Sequence, residues 1–131
     1  MSSQGLPAIR RIRRRPEFQH AYEAGSRAHG RFMTLIAVPN GRPTSRLGVA
    51  ATRKIGTAVV RNRAKRLARE LFRRHTTGGG LDVVIVPRRE MVHAPFANLE
   101  SDFRSSLHRC RRGSPPAKPR LGGRSRGDKG L

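Results

Sequence analysis

One segment, residues 54–74 (KIGTAVVRNRAKRLARELFRR), constrains the fold of this chain more than any other. Its apolar residues recur at helical spacing, so one stripe of a long helix must face a core; they are Val60, Ala64, Leu67, Ala68, Leu71 and Phe72. Thr57 is the predicted N-cap, and glycines 78–80 follow the pattern as a stop. We therefore predict a helix from Ala58 to Arg74, about 25 Å long.

The remaining faces of this helix are strongly cationic. They carry a single acid, Glu70, against seven cations: Arg61, Arg63, Lys65, Arg66, Arg69, Arg73 and Arg74. Like charges four residues apart destabilise an isolated helix by a few tenths of a kcal/mol each. A solvated basic face is one interpretation. A surface that binds a polyanion is favoured, because the phosphates of a partner would relieve the repulsion.

The composition of the whole chain agrees with a nucleic-acid partner. The 131 residues allow one domain plus tails, and 29 Lys and Arg against 8 Asp and Glu give a net charge of +21. A membrane surface is the weaker alternative, since no apolar run approaches the ~20 residues of a membrane span and no secretory signal pattern is present. Cys110 is the only cysteine, which excludes a disulfide framework and fits a cytoplasmic protein.

Other elements follow from pattern and turn signals. Pro16 begins a helix that runs to Ala24 and ends at Gly25; its Phe18, Ala21 and Tyr22 share a face. That face packs into the core, or else Phe18 and Tyr22 are stacking platforms for bases beside an arginine cluster, which comprises Arg10, Arg11, Arg13, Arg14 and Arg15.

Three strands and a last helix complete the pattern. Residues 32–38 and 46–52 read as strands that form a hairpin around the turn 39–43, with one further short strand near Gly30. Residues 81–86 read as a strand buried on both faces. Pro95 begins a helix with an apolar stripe, Phe96, Leu99, Phe103, Leu107 and Cys110. The predicted fold is α+β, with a domain over residues 9–112 and disordered segments at 1–8 and 113–131.

The chain offers no obvious catalytic group. Its eight acids and five histidines are scattered, without the spacing of a metal site or of an acid–base pair. Asp82 is unusual inside an apolar strand, and we interpret it as hydrogen-bonded to a loop or a cation. Cys110 completes a core stripe and is not predicted to be a nucleophile. No catalytic residues are predicted in the protein.

The segment from Lys54 to Glu70 resembles the Arg-Asn-Arg signature of the bacterial ribonuclease P protein subunit. Its core is Arg61-Asn62-Arg63, and the flanking segments resemble the same family: Arg14-x-x-x-Phe18 with Tyr22 and Gly25, residues 46–49, and residues 82–88. The resemblance spans roughly residues 9–111.

The resemblance implies a fold and an activity. The expected fold is a small two-layer α/β sandwich of the type of domain 2 of ribosomal protein S5. It has a mixed sheet of about four strands, three helices and a left-handed strand–helix–strand crossover. The expected activity belongs to a ribonucleoprotein endonuclease, in which a catalytic RNA subunit removes the 5′ leader of precursor tRNA. Mg²⁺ would be bound mainly by that RNA and none by the protein alone. The expected partners are one RNA subunit and precursor tRNA, with no membrane and no obligate protein partner.

The resemblance also assigns site residues. The expected contacts with the RNA subunit are Arg61, Asn62, Arg63, Lys65, Arg66 and Arg69. The expected cleft for the single-stranded leader contains Arg14, Phe18, Tyr22, Arg53 and Lys54. The family often places another aromatic residue on the cleft side of the first strand, where this chain has Thr34-Leu35-Ile36. The alternative is a structural RNA-binding protein of ribosomal type with no role in tRNA processing.

Overall fold

The computed structural model describes residues 10–75 and 79–111. In chain order they form α1 (Arg15–Ala24), β1 (Ser26–His29), β2 (Met33–Pro39), β3 (Arg46–Val49), α2 (Ala58–His75), β4 (Leu81–Pro87) and α3 (Phe96–Arg111). Short 3-10 turns at Arg53–Ile55 and Arg89–His93 precede α2 and α3. The predicted α+β class, element order and extra strand before Gly30 are confirmed. The predicted disordered segments, 1–8 and 113–131, lie outside the described residues.

The strands lie in the order β1-β2-β4-β3, so the predicted hairpin between the second and third strands is wrong. β4 separates them: it runs antiparallel to β2, from Leu81 opposite Pro39 to Pro87 opposite Met33, and parallel to β3. A near-continuous apolar run such as that of β4 suits a strand in the middle of a sheet, where both faces are covered. The actual hairpin joins β1 to β2.

The connection from β3 through α2 to β4 is a crossover between parallel neighbours. β3 ends at Val49, earlier than the predicted Thr52, and one further ladder bond runs from the N–H of Ala50 to the carbonyl oxygen of Ile85 at 2.9 Å. The chain then turns through Arg53–Ile55 into the helix. The left hand expected of this crossover stays a prediction.

Helices cover both faces of the sheet, whereas in a two-layer sandwich helices cover only one face. α2 and α3 pack on the face that presents alternate residues of β2 and β4; this core includes Leu35, Val83, Ile85, Leu71, Phe72, Leu99 and Phe103. α1 packs on the opposite face, where Ala21 meets Ile36, Val38 and Val84. β4 is therefore buried on both faces, as predicted.

A buried ion-pair network ties α1 to β3 and β4. The guanidinium of Arg46 donates to both carboxylate oxygens of Asp82, at 2.9 and 2.6 Å, and to Glu17 at 3.1 Å. The amide of Asn40 also donates to Asp82, at 2.8 Å. Hydrogen bonding to Asp82, aided by Glu17, raises the pKa of Arg46 above its usual value despite burial. The interpretation of Asp82 as the partner of a cation is confirmed.

Candidate nucleic-acid interface

α2 begins and packs as its sequence predicts. The hydroxyl oxygen of Thr57 accepts from the N–H of Val60 at 3.4 Å, in the geometry of an N-cap. Ala64, Ala68, Leu71 and Phe72 are buried. The cations occupy the remaining faces: Arg63, Arg66, Arg73 and Arg74 are exposed, and Arg61, Lys65 and Arg69 are half-buried.

Among the described residues, carboxylates balance the charge of α2 only at its C-terminal end. Glu70 accepts from Arg73 and Arg74, both at 2.6 Å, and Arg74 also lies 3.8 Å from Glu100. Within the described residues, none of the five cations from Arg61 to Arg69 forms an ion pair. Of these cations, Arg61 lies in the first turn of the helix, where the helix dipole is also positive. The segment from Arg61 to Arg69 is therefore the part of α2 that an anionic partner would stabilise.

Two arginines of this segment are fixed by backbone carbonyl groups. The Nη1 of Arg61 donates to the carbonyl oxygen of Gly56 at 3.1 Å, and the Nε of Arg63 donates to that of Val92 at 3.0 Å. Such bonds orient a guanidinium without neutralising it. Asn62 lies between them in sequence and is exposed. The signature residues thus present their charge in defined orientations before any partner arrives.

An open cleft of about 190 Å³ lies between α2, the N-terminal part of α1 and the β3 edge of the sheet. The segment before α1 reaches that edge, because the N–H of Ile12 donates to the carbonyl oxygen of Leu47 at 2.8 Å. The cleft combines cations from two segments with an aromatic ring and an apolar floor; its lining is Arg11, Ile12, Arg13, Phe18, Leu47, Val49, Lys65 and Arg69.

Arg69 is the least satisfied charge in this cleft. Its Nε is buried and has no hydrogen-bond partner among the described residues. Burial, followed by the repulsion of Arg11 and Arg66, lowers the pKa of Arg69 below its usual value. A buried donor without an acceptor is unfavourable, and a phosphate oxygen in the cleft would supply the acceptor.

The two aromatic residues of α1 have different environments. Phe18 is half-buried beside Ile12, and a Cβ at Gly48 would lie only 2.7 Å from its ring, so glycine is required there. Tyr22 is 37% exposed, and the guanidinium of Arg27 stands 5.9 Å from the centre of its ring. Phe18 therefore combines a packing role with a place in the cleft lining, whereas Tyr22 is open to solvent.

The remaining leader residues predicted from sequence lie outside that cleft. Arg14 is exposed at the N-cap position of α1. Arg53 and Lys54 are exposed on the turn after β3, which is held by Thr52 and by a 3.0 Å bond from Arg89 to the carbonyl oxygen of Lys54. The structure thus places Phe18 with Lys65 and Arg69, while Tyr22, Arg53 and Lys54 lie elsewhere on the surface.

Comparisons with known proteins place these features in a family. A family model described as ribonuclease P matches residues 6–111, which include all of the described elements. The chain belongs to the ribonuclease P protein family. It is 38% identical over 116 residues to the ribonuclease P protein component of Desulfovibrio desulfuricans, covering 84% of this chain and 89% of the relative. It is 35% identical over 101 residues to that of Caldanaerobacter subterraneus, covering 76% and 87%.

Solved structures of this family share the fold. The ribonuclease P protein of Thermotoga maritima superposes with a TM-score of 0.66 at 30% identity, covering 78% of this chain and 96% of that one. The Staphylococcus aureus protein gives 0.67 at 26% identity, covering 76% and 93%. Membership of this family gives the chain a role in ribonuclease P, the endonuclease of tRNA 5′ processing, and implies an RNA subunit as partner.

Groups outside the basic surface do not form a reactive centre in the described part of the chain. No three His, Cys, Asp or Glu side chains there come together as metal ligands. Cys110 is buried, its thiol donates to the carbonyl oxygen of Ser26, and burial raises its pKa to about 11. None of the described helices is long and apolar enough to cross a membrane.

The sequence analysis missed two cationic residues of the cleft. Arg11 and Arg13 line the cleft with Phe18, but only Arg14 of that cluster was predicted to face the leader. The alternation Arg11-Ile12-Arg13 was the available signal, because in an extended segment it places both arginines on one side and the isoleucine on the other. Ile12 is indeed buried, in the core beneath α1.

Proposed function

We propose that this chain binds the catalytic RNA of ribonuclease P through residues 61–69 of α2 and binds the 5′ leader of precursor tRNA beside α1. The observation that carries the proposal is the unneutralised charge from Arg61 to Arg69, which opens onto a cleft where the Nε of Arg69 has no acceptor among the described residues. Phosphates of RNA would neutralise that charge and occupy that donor.

The roles within α2 follow from exposure and orientation. Arg63 and Arg66 are exposed and reach a flat RNA surface, while Arg61 is held against Gly56. Asn62 supplies an exposed amide that can donate to or accept from RNA. Lys65 and Arg69 point into the cleft instead, so they bind phosphates at the boundary between the RNA subunit and the leader.

The leader site combines stacking with charge. Tyr22 offers an exposed ring and Phe18 a ring edge at the cleft, and both suit bases of variable sequence. Arg14, Arg53 and Lys54 add exposed cations along the path. The middle strands offer no aromatic floor, because Leu35 and Ile36 are buried in the two cores. Charge therefore contributes more to leader binding here than stacking does.

The chemistry belongs to the RNA subunit in this proposal. Mg²⁺ held mainly by that RNA would supply the metal-ion chemistry for hydrolysis of the phosphodiester. The protein positions precursor tRNA and reduces repulsion between the two RNAs, in a complex of one protein and one RNA subunit in the cytoplasm. No described cluster of carboxylates offers the protein a metal site of its own.

The decisive experiment compares the affinities of precursor and mature tRNA for the RNA subunit, with and without the full-length protein. We expect the protein to strengthen binding of the precursor and to leave mature tRNA nearly unchanged. Arg63→Ala should weaken binding to the RNA subunit and flatten its slope against log salt by about 0.7–0.9. Arg42→Ala, at an exposed turn distant from α2 in sequence, is the matched control.

Two outcomes would favour other functions. Salt-dependent binding to all RNAs with no leader preference would indicate a structural RNA-binding protein of ribosomal type. Cleavage of precursor tRNA by the purified protein without the RNA subunit would indicate a protein nuclease. One solved relative, a Staphylococcus aureus variant, is described as defective in mRNA degradation, so an mRNA belongs among the substrates tested for cleavage by the protein alone.

A further inference from the structure

The outer side of α3 carries a row of exposed polar and cationic residues to which the proposed function gives no role. We define the α3 stripe as five exposed residues that recur every three or four positions: Ala97, Ser101, Arg104, His108 and Arg111. At 100° per residue they share an arc of about 80°, and the part from Arg104 to Arg111 is about 10 Å long. The buried residues of α3 lie on its opposite side, so the stripe faces solvent.

No carboxylate belongs to the α3 stripe. The helix has two acids, and both are half-buried on its flanks and bonded to other elements. The carboxylate of Glu100 lies 2.9 Å from the Nε2 of His75 in α2. Asp102 accepts from the backbone N–H groups of residues 31 and 32, both at 2.9 Å. Arg104 therefore forms no ion pair within the described residues.

The helix dipole accounts for only part of this charge. His108 and Arg111 lie in the last turn of α3, where cations stabilise the negative end of the dipole. Arg104 lies about two turns before that end, where the effect has faded. A surface that serves only solubility mixes both signs, as the outer side of α1 does where Gln19 donates to Glu23 at 3.4 Å. The α3 stripe differs from that pattern and instead suits an anionic partner.

The α3 stripe lies on the same side of the molecule as the outer residues of α2. Both helices pack on one face of the sheet around one core, opposite α1. They also touch directly, because Arg74 of α2 lies 3.8 Å from Glu100 and 5.2 Å from the ring centre of Phe96. Helices in such contact have axes about 8–10 Å apart. The exposed residues of α2 beside this contact include Asn62, Arg66 and Arg73.

We propose that the α3 stripe binds a second phosphate strand of the RNA subunit, beside the strand that α2 binds. Successive phosphates of one strand are about 3.4 Å apart along a nucleic-acid helix, so the 10 Å from Arg104 to Arg111 match about three of them. The small side chains of Ala97 and Ser101 let a strand approach the helix closely, and the serine hydroxyl and the His108 ring can donate to phosphate oxygens. This inference rests on the proposed binding of the RNA subunit by α2 and extends that interface to a second helix.

The first test measures the affinity of the full-length protein for the RNA subunit, without tRNA, over a series of salt concentrations. Arg104→Gln removes one cation from an exposed position and should leave the thermal unfolding curve unchanged. It should flatten the slope of log affinity against log salt by about 0.7–0.9, the value for one phosphate contact. The double variant Arg104→Gln/Arg111→Gln should flatten it by about 1.4–1.8.

Arg42→Gln is the matched control, because it removes the same charge from an exposed turn after β2 and should leave the slope unchanged. If Arg63→Ala flattens the slope and the two α3 variants do not, the inference is overturned and the proposed function stands. Equal changes in Arg104→Gln and Arg42→Gln would indicate only long-range attraction and would also overturn the inference. An unchanged slope in Arg63→Ala and in the α3 variants would overturn the proposed function and the inference together.

The second test locates the RNA by crosslinking from single introduced thiols that carry a photoreactive group. Cys110 is buried and burial raises its pKa to about 11, so the introduced thiol is the one that is labelled. In the assembled complex, Ser101→Cys and Asn62→Cys should both crosslink to the RNA subunit, whereas Gln19→Cys, on the outer side of α1, should not. Crosslinks from Asn62→Cys alone, or equal yields from Ser101→Cys and Gln19→Cys, would overturn the inference. Failure of Asn62→Cys as well as Ser101→Cys would count against the proposed function itself.

Discussion

Replacing Arg69 by methionine is expected to stabilise the free protein and to weaken RNA binding. The Nε of Arg69 is buried without a described acceptor, and such a group costs about 1–3 kcal/mol. Repulsion from Arg11 and Arg66 adds to that cost. Methionine keeps an apolar side chain beside the cleft, and it removes both the unpaired Nε donor and the charge that Arg11 and Arg66 repel.

The gain should be near the lower end of that range, because Arg69 is only half-buried and water screens its charge. We expect about 1 kcal/mol in the free energy of unfolding, which corresponds to about 5 °C in Tm for a domain of this size. Urea and thermal unfolding in dilute chloride buffer measure the gain. Titrations with the RNA subunit at several salt concentrations measure the loss of affinity.

Arg66→Met is the control, because Arg66 carries the same charge on the same helix but is exposed. It should weaken RNA binding without a comparable gain in stability. A less stable Arg69→Met protein would show that Arg69 finds a satisfactory partner in solution. Unchanged RNA affinity would show that the cleft does not hold a phosphate. Either result would refute the argument from the unsatisfied donor.

Further predictions concern the aromatic face and the buried ion pairs. Phe18→Leu should keep most of the packing against Ile12 but weaken leader binding by about 1–3 kcal/mol in competition assays; unchanged leader affinity would leave the ring a packing role only. Asp82→Ala should lower the free energy of unfolding by about 3 kcal/mol in urea, since it leaves Arg46 buried with one carboxylate; a loss below about 1 kcal/mol would contradict this. Burial opposes ionisation of Glu17, but hydrogen bonds from Arg46 and Arg14 outweigh it and hold the pKa of Glu17 below its usual 4.5. The contribution of Glu17 to stability should therefore be present at neutral pH and be lost as the pH falls below about 4.5. Glu17→Gln should flatten that part of an acid unfolding curve. An unchanged curve would rule the contribution out.

Local pattern predicted the elements of this fold better than it predicted their pairing. α2 and β4 could be predicted from the sequence because a long helical period and a near-continuous apolar run each allow few structures. The hairpin prediction relied on the rule that strands adjacent in sequence usually pair, and β2 and β3 do not follow that rule. The insertion of β4 between β2 and β3 depends instead on burial of both its faces, which involves residues more than thirty positions away.

The candidate site also contains some residues that a local pattern predicts and others that only the fold brings together. The cationic face of α2 lies within one continuous segment, so the sequence alone indicates which residues form it. The cleft joins Arg11 and Arg13 to Lys65 and Arg69 across about fifty residues of chain, and the bond from Arg109 to the carbonyl oxygen of His29 joins α3 to β1 across about eighty. No local period encodes such neighbours, so only the folded arrangement shows which charges share a site.

The central position of β4 has a consequence for biosynthesis. Everything from α1 to α2 emerges from the ribosome before β4, the strand that joins β2 to β3, so the nascent chain first exposes a highly basic helix with no finished sheet behind it. At about 5–20 residues per second, that interval lasts on the order of a second. Fragments that end before Leu81 should accordingly fail to fold and should associate with RNA without discrimination. We therefore expect selective RNA recognition only after residues 81–87 have emerged and paired with β2 and β3.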